Sequence, residues 1–271
     1  MFLSLLLHSG ITTESRYKTQ MKRVSILILL SLTGLFAVAQ DENLVAYLDA
    51  DREAKIDTLN HNTAIGEDSS TSGSSNSVMD GDGNIYGVVR IGSQVWMAEN
   101  LKTTKFNDGT KIPMVPGIEE WRSLNSPGFC WYNNDVGTFG KNYGALYNWH
   151  TVSTGKLCPD GWHVPSQKEW NTLINYFGEN IAGRHLKDKG TEYWESSNMD
   201  ATNASGFTAR PGGSRWDIGI FLDEGIRGRW WSSTEFNSTN VWDSNMSSSY
   251  NRVTGSLDDK KNGLSVRCIK N

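Results

Sequence analysis

The segment from Cys158 to Trp170, together with Cys268 near the end of the sequence, places the strongest constraint on the fold of this chain. Its first residues, CPDG, are typical of a turn. Ser166 then has Glu169 three positions after it, which is the pattern of a capping box at the start of a helix. A turn, a capped helix and a cysteine at each end of one segment indicate a secreted domain closed by a disulfide.

The residues after Ser166 predict an amphipathic helix. Four apolar side chains recur at i, i+3, i+4 and i+7, which places them in one stripe. They are Trp170, Leu173, Ile174 and Phe177. Packing explains the whole stripe, so we interpret it as core rather than as a ligand site. Gly178 follows it and can adopt the left-handed conformation that ends many helices.

The chain contains three cysteines, so an exported domain can form one disulfide and keep one thiol. We predict the pair Cys158–Cys268, because it would tie the end of the chain to the start of the main helix. Cys130, between Phe129 and Trp131, is then interpreted as a small buried hydrophobic residue. The alternative pairs Cys130 with Cys158, since spacing alone does not fix the connectivity.

The N-terminal residues show the three parts of a secretory signal peptide. Met21-Lys22-Arg23 gives a basic start, residues 24–36 are mostly apolar, and Ala37-Val38-Ala39 has the small-x-small pattern of a cleavage site. We expect translation to start at Met21, with residues 1–20 as an upstream extension, and cleavage before Gln40. The apolar run is short for a membrane span, and no later segment approaches that length. The mature protein is therefore predicted to be exported, whether secreted, periplasmic or on the outer surface.

Composition divides the remaining chain into two parts. Residues 40–78 carry a mild helical pattern and then a Ser-, Asn- and Thr-rich stretch, which predicts an N-terminal segment and a flexible linker. Residues 79–271 are predicted to form one α+β domain with short strands, one or two helices and long ordered loops. Within it we predict a hairpin over 84–97 that turns at Gly92-Ser93, strands over 230–234 and 264–269, and a second short helix over 181–187 that ends near Gly190.

The charge of the chain argues against nucleic acid and anionic bilayers as partners. Removal of residues 1–39 takes away four of the 26 basic and one of the 30 acidic side chains, so the net charge changes from −4 to −7. Such a surface offers polyanions no electrostatic attraction. A glycan or a surface protein is the expected partner.

Several segments of the predicted domain resemble the Fibrobacter succinogenes major paralogous domain. They are Asp82 to Tyr86, Ile91 to Lys102, Tyr143 to Trp149, Cys158 to Trp170, Trp230 to Thr234, and Ser265 to Cys268. The resemblance covers roughly residues 80–270. It implies an exported bacterial domain of undefined biochemical role, and a fold related to the C-type lectin-like fold, which formylglycine-generating enzyme also has.

Two kinds of chemistry suggested by this resemblance lack their residues here. C-type lectins that hold sugar through calcium carry Glu-Pro-Asn or Gln-Pro-Asp and a later Trp-Asn-Asp, and none of these tripeptides occurs in the sequence. Formylglycine-generating enzyme uses a close pair of late cysteines, whereas Cys268 is the only cysteine after Cys158. His150, His163 and His185 show no metal-ligand spacing. We therefore expect a protein that is not an enzyme and has no obligatory cofactor.

One candidate metal site and one candidate binding surface remain. Asp80, Asp82 and Asn84 place oxygen atoms at alternate positions around glycines, as calcium loops do, although a simple turn is the favoured interpretation. Five aromatic residues lie among polar loop residues and are the candidates for a carbohydrate platform, although burial over loop bases is the favoured interpretation. They are Trp121, Tyr132, Trp194, Trp216 and Trp242.

The leading hypothesis is an exported, non-catalytic domain that recognises a surface ligand through loops on a lectin-like scaffold. A structural component of a bacterial surface assembly is the main alternative. An oxidase similar to formylglycine-generating enzyme is a more distant one, because the second late thiol is missing.

Overall fold

A computed structural model describes residues 76–195, 198 and 200–271 of the protein. The predicted signal peptide and the linker up to residue 75 lie outside these residues. The described residues belong to one compact unit that extends from Gly73 to Asn271. As predicted, this unit is α+β, with mostly short strands and few helices among its described residues.

The first sheet begins with the predicted hairpin. Its strands are β1 (Ser77–Met79), β2 (Ile85–Ile91), β3 (Gln94–Met97), β6 (Trp162–His163) and β12 (Ile269–Lys270). They pair antiparallel in the order β1-β2-β3-β12-β6. Ile91 pairs with Gln94, so the hairpin turns at Gly92-Ser93 as predicted, and Gly92 has the positive φ of 56° that such two-residue turns need.

The second sheet is built mainly from the C-terminal half of the domain. Its strands are β7 (Gly212–Arg215), β8 (Phe221–Glu224), β9 (Arg227–Glu235), β10 (Asn240–Ser247) and β11 (Thr254–Asp259). Their order is β11-β10-β9-β7-β8. A small third sheet pairs β4 (Phe129–Cys130) with β5 (Leu146–Tyr147). The predicted strand at 230–234 is confirmed as part of β9.

The main helix has the predicted start. The α-helices are α1 (Ile118–Ser123), α2 (Lys141–Tyr143), α3 (Trp149–Val152), α4 (Gln167–Phe177) and α5 (Ala182–Leu186), with a 3-10 turn at Tyr132–Asn134 and a π turn at Val136–Gly140. In α4 the Ser166 side chain accepts the N–H of Glu169 and the Glu169 carboxylate accepts the N–H of Ser166, which confirms the capping box. Gly178 has φ 89° but ψ 130°, so it ends the helix outside the left-handed helical region predicted for it.

The predicted apolar stripe of α4 is largely core. Trp170, Leu173 and Ile174 are buried, and Phe177 is partly buried against the same cluster. The predicted second helix exists as α5 but ends at Leu186, before Gly190, because Lys187 returns to extended backbone.

Two neighbouring tryptophans on β9 show how the second sheet divides the core. Successive side chains of a strand point to opposite faces. Trp230 therefore packs with Trp170 and Met246 in one apolar cluster, while Trp231 packs with Tyr147 and Cys268 in another. Both tryptophans are fully buried, so this part of β9 is covered by the core on both faces.

The last segment of the chain is extended, but the strand predicted over 264–269 is wrong in extent. Only Ile269–Lys270 forms a strand. Leu264 pairs with Tyr147, Ser265 exchanges backbone hydrogen bonds with Arg229 and Trp231, and the Val266 carbonyl accepts the N–H of Leu101. The segment changes partner at almost every residue, so it crosses between elements instead of following one of them.

Candidate functional site

The disulfide joins the predicted pair. Cys158 and Cys268 are bonded across a sequence separation of 110, and the alternative Cys130–Cys158 pairing is therefore wrong. Cys130 is free and fully buried, and burial raises the pKa of its thiol to about 12. Its neighbours in a small apolar cluster include Trp121 and Leu146. The thiol therefore has the surroundings of a core residue.

The residues considered for calcium form a hydrogen-bonded turn before β2. One carboxylate oxygen of Asp80 accepts the N–H groups of Asp82 and Asn84, and the other accepts the Asn84 side chain and the Tyr86 hydroxyl. Asp82 accepts the N–H of Thr104 and lies 3.1 Å from the Lys105 ammonium. These contacts fit the turn interpretation, since all four carboxylate oxygens already have protein partners.

The charge of Asp82 is stabilised locally. Burial works against ionisation, but the backbone hydrogen bond from Thr104 and the Lys105 ammonium outweigh it and lower the pKa of Asp82. Within the described residues, no three His, Cys, Asp or Glu side chains are grouped so that they could hold a metal ion. Calcium binding by Asp80, Asp82 and Asn84 stays a prediction.

Three of the five aromatic candidates are buried, in agreement with the favoured interpretation, and they cannot contribute to an exposed platform. Trp121 and Trp194 are at most 1% exposed and Tyr132 is 9% exposed. The Arg215 guanidinium stacks 4.5 Å from the Trp121 ring, the Trp194 indole donates to the Ala209 carbonyl, and Tyr132 packs against Phe221. Trp121 lies in α1, Tyr132 in the 3-10 turn and Trp194 in a loop, and all three side chains turn inward despite their polar sequence neighbours.

Trp216 is exposed and belongs to an apolar patch at the tip of the β7–β8 hairpin. The Trp216 patch consists of five side chains that are 37–52% exposed: Ile118, Trp216, Ile218, Ile220 and Leu222. The turn is closed by a hydrogen bond from the N–H of Trp216 to the Ile220 carbonyl and by another from the N–H of Gly219 to the Trp216 carbonyl, and Gly219 packs directly on Ile118 of α1. Arg215 holds the hairpin in place by donating to the carbonyls of Val115 and Gly219.

Trp242 lies on a second exposed surface, where the β10–β11 pair meets the start of α4. We define the Trp242 surface as Trp242, Phe236, Leu257 and Gln167. Trp242 is half-buried, and Phe236 packs edge-to-face on it with ring centroids 5.7 Å apart and with 54% of its own surface exposed. Leu257 pairs directly with Trp242 across the strands and is 39% exposed. Phe236 therefore packs on the tryptophan ring, and Leu257 lies opposite Trp242 on the neighbouring strand.

A glycine opens a notch beside this ring. A Cβ atom at Gly255 would lie 3.4 Å from the Gln167 side-chain nitrogen and 3.8 Å from an edge carbon of Trp242. The Gln167 nitrogen donates to Asn171, whereas its amide oxygen is buried and has no partner among the described residues. An aromatic face with a polar amide at its edge suits a ligand that has both apolar and hydroxyl surfaces.

The turn between β9 and β10 positions Phe236. The Asn237 side chain accepts the N–H groups of Thr239 and Asn240, and the N–H of Phe236 donates to the Asn240 carbonyl. This tight turn projects Phe236 over Trp242. The sequence identified Trp242 as a candidate but gave no sign of Phe236, Leu257 or Gln167, because their proximity depends on strand register and on the packing of α4.

The sequence of residues 89–270 matches the profile of the Fibrobacter succinogenes major domain. The chain belongs to this family. The match covers two thirds of the chain and confirms the resemblance identified from the sequence. No curated protein and no solved structure shows significant similarity to the chain.

Segments that carry the resemblance to the Fibrobacter succinogenes major domain converge in the interior. The Asn100 side chain accepts the indole N–H of Trp230 and a guanidinium N–H of Arg267, at 2.8 and 2.6 Å. Its amide nitrogen donates to the Tyr143 carbonyl. One buried asparagine therefore joins the segment after β3, the end of α2, β9 and the last segment of the chain.

The three histidines within the described residues, His150, His163 and His185, have structural surroundings. One ring nitrogen of His163 lies 2.9 Å from the Glu169 carboxylate and the other lies 2.7 Å from the Asn271 side chain. His185 stacks on Phe177, and burial lowers its pKa. Burial likewise lowers the pKa of His150.

No helix within the described residues is long and apolar enough to cross a membrane.

Proposed function

We propose that this protein is an exported, non-catalytic recognition domain that binds carbohydrate on the Trp242 surface. Its scaffold is a relative of the C-type lectin-like fold. The observation that carries the proposal is the solvent-facing pair of Trp242 and Phe236, oriented edge-to-face beside Leu257 and the Gln167 amide. Pyranose rings present apolar C–H faces and hydroxyl edges, and an aromatic ring bordered by an amide complements both.

The chemistry of the cysteines supports a non-catalytic role. An oxidase similar to formylglycine-generating enzyme would need two accessible thiols close together. Here two cysteines are joined in a disulfide and the third is fully buried with a raised pKa. The disulfide also supports export, because such bonds persist mainly in oxidising compartments. Export with removal of the signal peptide predicts a mature chain that begins at Gln40, which N-terminal sequencing tests directly.

The Trp216 patch favours a second candidate function, the recognition of a protein partner within a surface assembly. Five exposed large apolar side chains belong to this one hairpin tip and the helix beside it, and exposed apolar patches mark protein contacts. The patch has fewer polar groups than the Trp242 surface and is less suited to a hydroxyl-rich ligand.

A glycan array probed with the mature chain, residues 40–271, tests the proposal and separates the two surfaces. We expect binding to a limited set of glycans. Trp242→Ala should weaken that binding about thirtyfold or more, because truncation of an aromatic hot-spot residue costs about 2 kcal/mol or more. Trp216→Ala is the matched control and should leave the array pattern unchanged. A blank array, or a pattern that depends on Trp216 alone, would overturn the carbohydrate proposal.

A further inference from the structure

A small cationic pocket opens where three segments of the family resemblance meet. Six of the residues around it carry the argument: Glu99, Asn100, Lys102, Lys141, Arg210 and Arg267. They come from the segment after β3, from α2, from the loop before β7 and from the last segment of the chain. The pocket has a volume of about 20 Å³, enough for a group of roughly the size of a water molecule.

The charges around this pocket are unbalanced. Arg210 is paired with Asp188 at 3.0 Å, and Lys102 lies 3.9 Å from Glu99. Within the described residues, Lys141 and Arg267 have no carboxylate at ion-pair distance. Two positive charges are therefore left uncompensated in a chain whose net charge is −4.

Arg267 is the central feature of the pocket. It is only 1% exposed, although buried guanidinium groups normally have a carboxylate partner. It donates instead to the carbonyls of Phe207 and Thr208 and to the Asn100 side chain. Its Nε–H is buried and has no partner among the described residues. Burial, and to a lesser degree the charge of Arg210, lower the pKa of Arg267 to about 9, although the charges of Glu99 and Asp188 act in the opposite direction.

The backbone around the pocket is held in an uncommon conformation. Thr208 has φ 55°, in the left-handed region that β-branched residues rarely adopt. The Asn203 side chain fixes this conformation by accepting the N–H of Thr208 and donating to its hydroxyl. The Thr208 carbonyl is thereby turned toward Arg267. Local strain of this kind is concentrated at ligand-binding sites.

We propose that this pocket binds a carboxylate group of an acidic ligand. Arg267 supplies the buried positive charge, and Lys102, Lys141 and Arg210 supply donors nearer to solvent. One oxygen of a carboxylate is about the size of the water molecule that the pocket can hold, and it can accept a charge-assisted hydrogen bond from the free Nε–H of Arg267. The carboxylate can belong to a uronic acid sugar or to a simple organic acid. This inference does not depend on carbohydrate binding at the Trp242 surface.

Titrations followed by ¹H–¹⁵N NMR at constant ionic strength test the inference. The probes are sodium glucuronate, sodium acetate and inorganic phosphate, with glucose as the neutral control. We expect saturable shifts of the Asn142 and Gly144 amides, which line the pocket, with glucuronate and acetate but not with glucose. Equal affinity for the two carboxylates would show that the carboxylate alone is recognised, and tighter binding of glucuronate would identify the acidic sugar as the source.

Two variants make this test specific. Lys141→Gln removes an exposed, unpaired cation and should weaken carboxylate binding at least threefold, whereas Lys168→Gln, an exposed lysine on α4, should have no effect. Arg267→Met should abolish binding if the variant folds, and Lys141→Gln decides the matter if it does not. The proposal is overturned if neither carboxylate gives saturable shifts, if Lys141→Gln binds like the wild type, or if phosphate binds more tightly than both carboxylates.

Discussion

At the scale of single residues, the most unusual feature is a pair of buried aspartates that share one arginine. Arg229 donates to Asp243 at 3.1 Å and to Asp258 at 2.5 Å, and both carboxylates are at most 6% exposed. Ser256 donates to Asp243 and Asn262 donates to Asp258. Burial, and then the nearby charge of Asp243, raise the pKa of Asp258 above its usual range, although Arg229 and the Asn262 side chain act in the opposite direction.

This raised pKa predicts a specific pH dependence of stability. Between the usual Asp pKa of about 3.9 and the higher pKa in the folded protein, the folded state keeps a proton that the unfolded state has lost. The stabilising contribution of Asp258 should therefore be fully present below about pH 3.9, and it should be lost as the pH rises through the pKa of the folded state.

Urea denaturation of the wild type and of Asp258→Asn from pH 4 to pH 8 measures this effect. Asn cannot titrate. The unfolding free energy of the wild type should therefore fall relative to that of Asp258→Asn as the pH rises. A difference that is constant over the range would contradict the raised pKa. The histidines with lowered pKa are present in both proteins, so their opposite dependence cancels in the comparison.

Side-chain burial shows where prediction from sequence stops at this scale. Trp121 and Trp242 both stand among polar residues, yet one is fully buried beneath Arg215 and the other lines a surface. The polar sequence neighbours of the two tryptophans are alike, so local composition cannot tell the buried one from the exposed one. The exposure of Trp242 depends on the register of β10 against β11, and the burial of Trp121 depends on the contact of Arg215 with α1. Both are long-range features that a short window of sequence does not encode.

At the scale of elements, local signals were sufficient for α4 and for the β2–β3 hairpin. The capping box at Ser166 and the turn at Gly92 are each complete within a few residues, so the pattern determines the structure. The last segment behaves differently. Its apolar residues predicted a strand over 264–269, but its backbone partners come from β5, β9 and the segment after β3, which no local pattern can specify.

The disulfide is the covalent constraint on that last segment. Cys268→Ser should lower the free energy of unfolding by about 4–5 kcal/mol, because the denatured chain gains the freedom of a loop of about 110 residues. Cys130→Ala is the matched control and should cost about 1–2 kcal/mol, since it leaves only a small cavity. Chemical denaturation with and without reductant measures both changes.

Reductant should reproduce the Cys268→Ser effect in the wild type and leave the Cys268→Ser variant unchanged. An equal loss in both variants would show that the disulfide adds no more stability than a buried thiol does. Non-reducing peptide mapping provides the covalent check, with Cys158 and Cys268 recovered in one linked species and Cys130 free.

At the scale of the whole molecule, the sheets and the disulfide form a rigid frame that carries distinct surfaces. The Trp242 surface, the Trp216 patch and the cationic pocket are each built from elements far apart in sequence. The α+β class, the family and the disulfide could be predicted from the sequence because they rest on composition and on ordered motifs. Only two of the five aromatic candidates, Trp216 and Trp242, lie on exposed surfaces. Which side chains are exposed depends on the tertiary fold, so the sequence pattern alone could not separate these two from the other three.

Carbohydrate binding, as proposed, brings the ligand against Trp242, so the indole resonance of this residue reports the contact itself. The measurement is a ¹H–¹⁵N spectrum of the mature chain titrated with the tightest soluble oligosaccharide from the array, with the Trp242 signal assigned by comparison with Trp242→Phe. We expect a saturable shift of the Trp242 indole signal. The signals of Trp216 and of the buried Trp230 should not move. A saturated complex in which the Trp242 signal stays in place, or in which only the Trp216 signal shifts, would contradict the account.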